Sequence, residues 1–146
     1  MPNECDLEVL GRADQLDKIR EWVGQAARLA GLDDDQVFRV QMSVDEACAN
    51  VVEHAYEGID GGEIVLKCAW NAETLTITIQ DCGRPFDPTA VPAPNLSSDL
   101  QARKPRGLGL YFMYQMMDQV HFEFGQDGCN KLVLVKNIAP SPQNKP

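Results

Sequence analysis

The sequence predicts an α+β fold in which helices cover one face of a sheet. Three observations carry that prediction. Helical and strand periodicities occupy separate runs, in the order β-α-α-β-β-α-β-β. Strand runs come in pairs joined by tight turns, which is how antiparallel neighbours are connected. The helical runs carry apolar residues on one side, so each needs one covering layer.

Taken in order, "CDLEVL" (Cys5 to Leu10) alternates over Asp6–Val9 and reads as an edge strand. From Arg12 to Ala30, the residues Leu16, Ile19, Val23, Ala26, Ala27 and Ala30 recur at helical spacing, and Gly31 stops the helix. Asp33 is placed to cap the next helix, with Gln36 as its capping-box partner. That second helix is expected to run to about Glu57 and to end at Gly58. "EIVLKCAW" (63–70) and "TLTITIQ" (74–80) read as two strands joined by the turn "NAE". Five of the nine prolines then fall between Pro85 and Pro105, and the stretch from about 88 to 106 is expected to be a functional lid. A helix beginning at Gly107, the strands "VHFEF" and "KLVLVK", and a disordered tail over 138–146 complete the chain.

A chain of 146 residues is expected to form one domain, here over 1–137. At that length it buries roughly two-thirds of its unfolded surface without a disulfide staple. The five cysteines are scattered and form no C-x-x-C pair, which suits free thiols in a reducing cytoplasm. "MPNECDLEVL" is acidic and lacks the apolar run of a signal peptide, and no stretch reaches the length of a membrane span. A formal net charge of -9 repels nucleic acid and anionic lipid, leaving proteins and small molecules as the expected partners.

Three segments concentrate chemistry. Along the helix that ends in "VDEACANVVEHAY" (44–56), the residues Val37, Val40, Val44, Ala47, Cys48, Val51 and Ala55 form one apolar face, and Glu46, Asn50, Glu53 and His54 lie roughly opposite. Asn is a poor residue for a helix interior, because its amide competes for backbone hydrogen bonds. A face built for solubility would use Lys or Arg, yet neither occurs between Arg39 and Lys67. A carboxylate one turn from an amide oxygen suits a hard cation and a polarised nucleophile. "IQDCGRPFDP" places Asp81 at a strand end before Gly83 and Pro85, a pattern that on its own is commonly just a turn. "KPRGLGLYF" sets Gly107 and Gly109 at a helix start, where free N–H groups attract anions, directly after Arg103, Lys104 and Arg106.

Together the three resemble the GHKL ATP-binding superfamily. "EACANVVEHAY" is similar to its N box, "DCGRPFDP" to its first glycine box and "RGLGL" to its second. Order and separation agree, and the resemblance covers about Asp6 to Lys136. Within the superfamily the chain is most similar to the bacterial anti-sigma factor serine kinases of partner-switching systems. The resemblance implies a helix layer on a mixed, largely antiparallel sheet and a cytoplasmic enzyme using ATP and Mg²⁺. It implies Glu46 as general base and Asn50 as Mg²⁺ ligand. Asp81 would accept from the adenine amino group, and Gly83 would admit the base. Arg106, Gly107, Leu108 and Gly109 would form the phosphate cradle. His54 fits the family pattern in a structural role, and Cys82 is a bystander. Implied partners are a STAS-domain anti-anti-sigma protein, a sigma factor and a second copy of the chain, with no direct nucleic acid and no membrane. The rival is a nucleotide-gated binding module without phosphotransfer. A sensor histidine kinase is disfavoured, because nothing here supplies a dimerising phospho-acceptor hairpin. The chain departs from the pattern in two places. "DGCNKL" stands where many relatives carry Gly-Thr near the adenine, leaving the role of Asn130 open. Residues between Pro88 and Arg103 align with no motif.

Overall fold

The structure, a computed structural model, describes residues 3–85 and 105–138, with the backbone alone for 105–109. The greater part of the expected lid and nearly all of the expected tail, including Arg103 and Lys104, therefore lie outside the described residues. Among the described residues the strands and α-helices are β1 (Asn3–Leu10), α1 (Leu16–Ala30), α2 (Asp34–Asn50), β2 (Glu63–Trp70), β3 (Thr74–Asp81), α3 (Pro105–Met116), β4 (Gln119–Phe124) and β5 (Asn130–Asn137). The strands form one sheet in the order β1-β2-β3-β5-β4, and every pair is antiparallel. The fold class is thus α+β, three helices on an open antiparallel sheet.

Strand alternation decides which face is covered. Ile64, Leu66 and Cys68 of β2, Leu75, Ile77 and Ile79 of β3, and Leu132 and Leu134 of β5 all point into one core. Opposite them lie Ile19, Val23, Ala26 and Ala27 of α1, Val37, Val40, Val44, Ala47 and Cys48 of α2, and Leu110 and Met113 of α3. α2 packs against both other helices, so its position fixes the layer. Gly31 ends α1 at φ 101°, a left-handed backbone that favours glycine. Asp33 accepts from the Gln36 backbone at 2.8 Å while the Gln36 side chain accepts from the Asp33 backbone at 3.1 Å. This is the capping box the sequence predicts.

Three expectations need correction. The first helix begins at Leu16, after a 3-10 turn over Ala13–Gln15, because Arg12 is extended and provides no side-chain cap. The second helix does not stay α-helical to Glu57. It ends at Asn50 and widens into a π turn over Val51–Ala55, in which Tyr56 N donates to Val51 O at 2.9 Å. Finally, the cysteines are not all free: Cys82 and Cys129 are joined in a disulfide, while Cys5, Cys48 and Cys68 remain thiols. The register explains the bond. Asp81 faces Asn130 in the last rung of the β3–β5 ladder, so Cys82 and Cys129 meet one step beyond it.

Candidate functional site

A cavity of about 410 Å³ opens between the end of α2 and the β3–β5–β4 end of the sheet. Ala47, Asn50, Val51 and His54 form its helical wall, Ile79, Leu132, Phe122 and Met113 its apolar floor, and Asp81 and Asn130 one polar end. An apolar chamber with a few convergent polar groups is the usual form of a small-molecule site.

The polar end is the most tightly built part. Asp81 is 7 % exposed. Its Oδ1 accepts from Gly83 N at 2.9 Å and from Asn130 Nδ2 at 2.9 Å. Among the described residues no donor reaches Oδ2, which leaves one carboxylate oxygen for a ligand. Asn130 Nδ2 also reaches Gly83 O at 3.2 Å and Arg84 O at 3.3 Å, tying β5 to the loop after β3. That loop lies directly on the end of the π turn, where Arg84 N donates to Ala55 O at 2.8 Å. Any side chain at Gly83 would strike the Ala55 carbonyl. Glycine is therefore required here by the approach of protein backbone. Below the loop, Tyr56 OH donates to Glu63 O at 2.6 Å and accepts from Cys82 N at 2.9 Å, with its ring seated between Gly11 and Gly62.

At the helical wall, Asn50 is half-buried and lines the cavity. Glu46 sits one turn earlier on α2 and is not among the described residues lining the cavity. Its carboxyl is pushed above the ordinary glutamate range, first by burial and then by the charges of Glu53 and Asp45. Asp45 itself is held by Arg20 at 2.9 Å, which draws it toward α1. His54 lines the cavity as well. Among the described residues no group of three His, Cys, Asp or Glu side chains comes together as a metal cage.

The sequence-derived residues divide cleanly by position. Asn50 and Asp81 line one cavity, Gly83 supports its polar end, and Glu46 lies one helical turn before Asn50 on α2. The backbone of Arg106, Gly107, Leu108 and Gly109 lies in the first turns of α3, and their side chains are outside the described residues. Sequence reading missed the floor residues Phe122, Leu132 and Met113, as well as Tyr56 and the Cys82–Cys129 bond. Alternation on β4 and β5 carries part of that signal, because Phe122 and Leu132 are directly paired across the two strands.

Fold and cavity define a class: α+β domains whose ligand chamber lies between a helix layer and one end of an antiparallel sheet. The model of the histidine kinase-like ATPase domain matches residues 10–136, and the chain belongs to that family. Among curated proteins it is 29% identical over 139 residues to the serine-protein kinase RsbW of Halalkalibacterium halodurans, spanning 92% of this chain and 83% of that one. It is 31% identical over 103 residues to the serine/threonine-protein kinase BtrW of Bordetella bronchiseptica, spanning 70% of this chain and 72% of that one. Among solved structures, the RsbU and RsbW domains of Rv1364c from Mycobacterium tuberculosis superpose with a TM-score of 0.68 at 15% identity. That match covers 95% of this chain and 34% of the solved one, and it speaks to the fold. By family and relatives the chain is an ATP-using enzyme of the protein serine/threonine kinase class.

Proposed function

We propose that the chain is an anti-sigma factor kinase that binds ATP with Mg²⁺ and phosphorylates a serine or threonine of a STAS-type anti-anti-sigma protein. Transcription would be regulated as the kinase exchanges that partner for a sigma factor. The observation that carries the reading is the cavity joining Asn50 to the Asp81–Asn130 pair across an apolar floor. Asp81 presents Oδ2 as an acceptor, which matches the amino group of adenine and opposes the carbonyl of guanine. Ile79, Leu132 and Met113 offer apolar surface to the base. Asn50 would hold Mg²⁺ through its amide oxygen. The donor set fits, since this ion binds through one or two protein oxygens and phosphate. When bound, Mg²⁺ neutralises charge on the phosphates.

Glu46 would accept the proton of the incoming hydroxyl, a role suited to a carboxyl whose basicity is raised by burial and by the neighbouring Glu53 and Asp45. Arg106, Gly107, Leu108 and Gly109 would cradle phosphate from the start of α3. One domain over 1–137, a lid over about 88–106 and a tail over 138–146 complete the reading. A homodimer is expected through α1, where Leu29 is 74 % exposed beside the partly buried Trp22.

The second reading is a nucleotide-gated binding module without phosphotransfer. Incubation with labelled ATP and a purified STAS-domain protein separates the two. Phosphate transfer that falls on the order of 100-fold or more in Glu46→Gln, with ATP affinity changed only a few-fold, supports the kinase. Tight ATP-dependent complex formation with no labelled product supports the binding module. Light scattering at micromolar concentration tests the dimer.

A further inference from the structure

The disulfide lies at the polar end of the cavity and belongs to none of the chemistry above. Cys82 follows Asp81 directly, and Cys129 precedes Asn130 directly, so the bond flanks the two residues that form the polar end. It joins positions 47 apart, and the loop it closes contains α3 and β4. Backbone hydrogen bonds hold both cysteines in place: Cys82 N donates to Tyr56 OH at 2.9 Å, and Gly125 N donates to Cys129 O at 2.9 Å.

We propose that Cys82 and Cys129 form a thiol–disulfide exchange site that sets the affinity of the cavity for adenine nucleotides, an inference that rests on the nucleotide reading above. Position favours the pair over the two buried cysteines. Cys82 is exposed and Cys129 half-buried, so a small disulfide or thiol can reach the bond. Cys48 and Cys68 are buried and their thiols are pushed far up by that burial, which keeps them protonated and unreactive. In a reducing compartment, a solvent-reachable disulfide is characteristically transient and regulatory.

The reaction is a two-electron exchange with a low-molecular-weight disulfide of the glutathione type. The thiolate of one cysteine attacks a sulfur of the small disulfide and displaces one thiolate. The second cysteine thiolate then attacks the mixed disulfide and displaces the other. Two cysteine sulfurs are oxidised, two small-molecule sulfurs are reduced, and the two cysteine protons leave with the released thiols.

The direction of coupling follows from geometry. Reduction removes the covalent tie between the strand ends that carry Asp81 and Asn130 and frees both cysteine side chains to rotate apart. The Asn130 contacts to Gly83 O and Arg84 O, at 3.2 and 3.3 Å, are already at the long limit for a hydrogen bond and are the first to be lost. The loop that donates Gly83 N to Asp81 is then less firmly tied to β5, and the cavity's acceptor is less preorganised. The oxidised protein binds ATP more tightly, on the order of 10-fold, and by linkage ATP favours the disulfide by the same factor.

The test uses the full chain equilibrated with reduced glutathione or with glutathione disulfide. Free thiols are counted in denaturant, the bonded pair is identified by peptide mass mapping, and ATP affinity is measured by calorimetry. Expected are five thiols in the reduced form, three in the oxidised form with Cys82 linked to Cys129, and ATP binding about 10-fold tighter in the oxidised form. The double variant Cys82→Ser, Cys129→Ser should bind ATP like the reduced protein in either buffer. Equal ATP affinity in the two forms overturns this inference alone, as does a double variant that still responds or a failure of the pair to link. If neither form binds ATP while the thiol count still switches, the nucleotide reading falls and this inference with it.

Discussion

Asp81 at the end of β3 and Glu46 on α2 are both carboxylates, yet their surroundings differ. Asp81 Oδ1 accepts from two N–H donors, and among the described residues none reaches Oδ2, the oxygen proposed to meet the adenine amino group. Asp81→Asn presents an amide in place of a carboxylate beside the Asn130 amide, and ATP affinity should fall at least about 100-fold, whereas GTP binding changes little. Calorimetric titration with both nucleotides checks this. Glu46 has its raised pKa from burial and from the negative neighbours Glu53 and Asp45. The folded state therefore holds the Glu46 proton more strongly than the unfolded state does. Its contribution to stability is fully present below the ordinary glutamate range and is lost as pH rises through the raised folded value. Glu46→Gln removes that loss. The variant should unfold at higher urea than the wild type at pH 7, with the gap closing below about pH 4. A higher stability at neutral pH together with lost phosphotransfer would identify a charge retained for chemistry.

At the scale of elements, the decisive feature is the way α2 ends. The π turn over Val51–Ala55 presents the Ala55 carbonyl to Arg84 N and delivers Tyr56 beneath the loop that follows β3. The Tyr56 hydroxyl then joins β2 to that loop by its two hydrogen bonds. Tyr56→Phe keeps the ring between Gly11 and Gly62 and deletes both bonds. A loss of about 1–3 kcal/mol in unfolding free energy is expected, because the Cys82 N–H and the Glu63 carbonyl are left without that partner. Urea denaturation gives the number. ATP affinity should fall as well, since the loop carries Gly83 and steadies Asp81. An unchanged affinity would mean that the Asn130 contacts alone hold the loop.

For the whole molecule, a ligand that bridges helix layer and sheet should stabilise the fold by mass action. With ATP at about 100 times its dissociation constant, the gain is about 2.7 kcal/mol. For a domain of this size that corresponds to a rise in Tm of roughly 5–10 °C. GTP at the same concentration should produce little shift, and differential scanning fluorimetry distinguishes the two in one experiment. Asn50→Ala should retain most of the ATP shift in EDTA but lose any added increment from Mg²⁺.

Much of the architecture was legible without coordinates, because it depends on local signals. The capping box at Asp33–Gln36, the stop at Gly31 and the strict alternation of "TLTITIQ" each act within a few residues, and each appears where its chemistry requires. The three motifs of the candidate site are likewise contiguous in sequence, so Asn50, Asp81 and Gly83 were readable as candidates. What no local pattern contained were the relations between strands remote in sequence. Residue-level readings offered Cys82 no partner, since Cys129 lies 47 positions away. Asn130 stood open until the β3–β5 register set it against Asp81. The π turn, too, is decided by the loop it must receive. Periodicity and capping chemistry by themselves determined the elements and their buried faces. Register and packing, which depend on long-range pairing, decided which polar groups meet, and with them the shape of the polar end and the pairing of its cysteines.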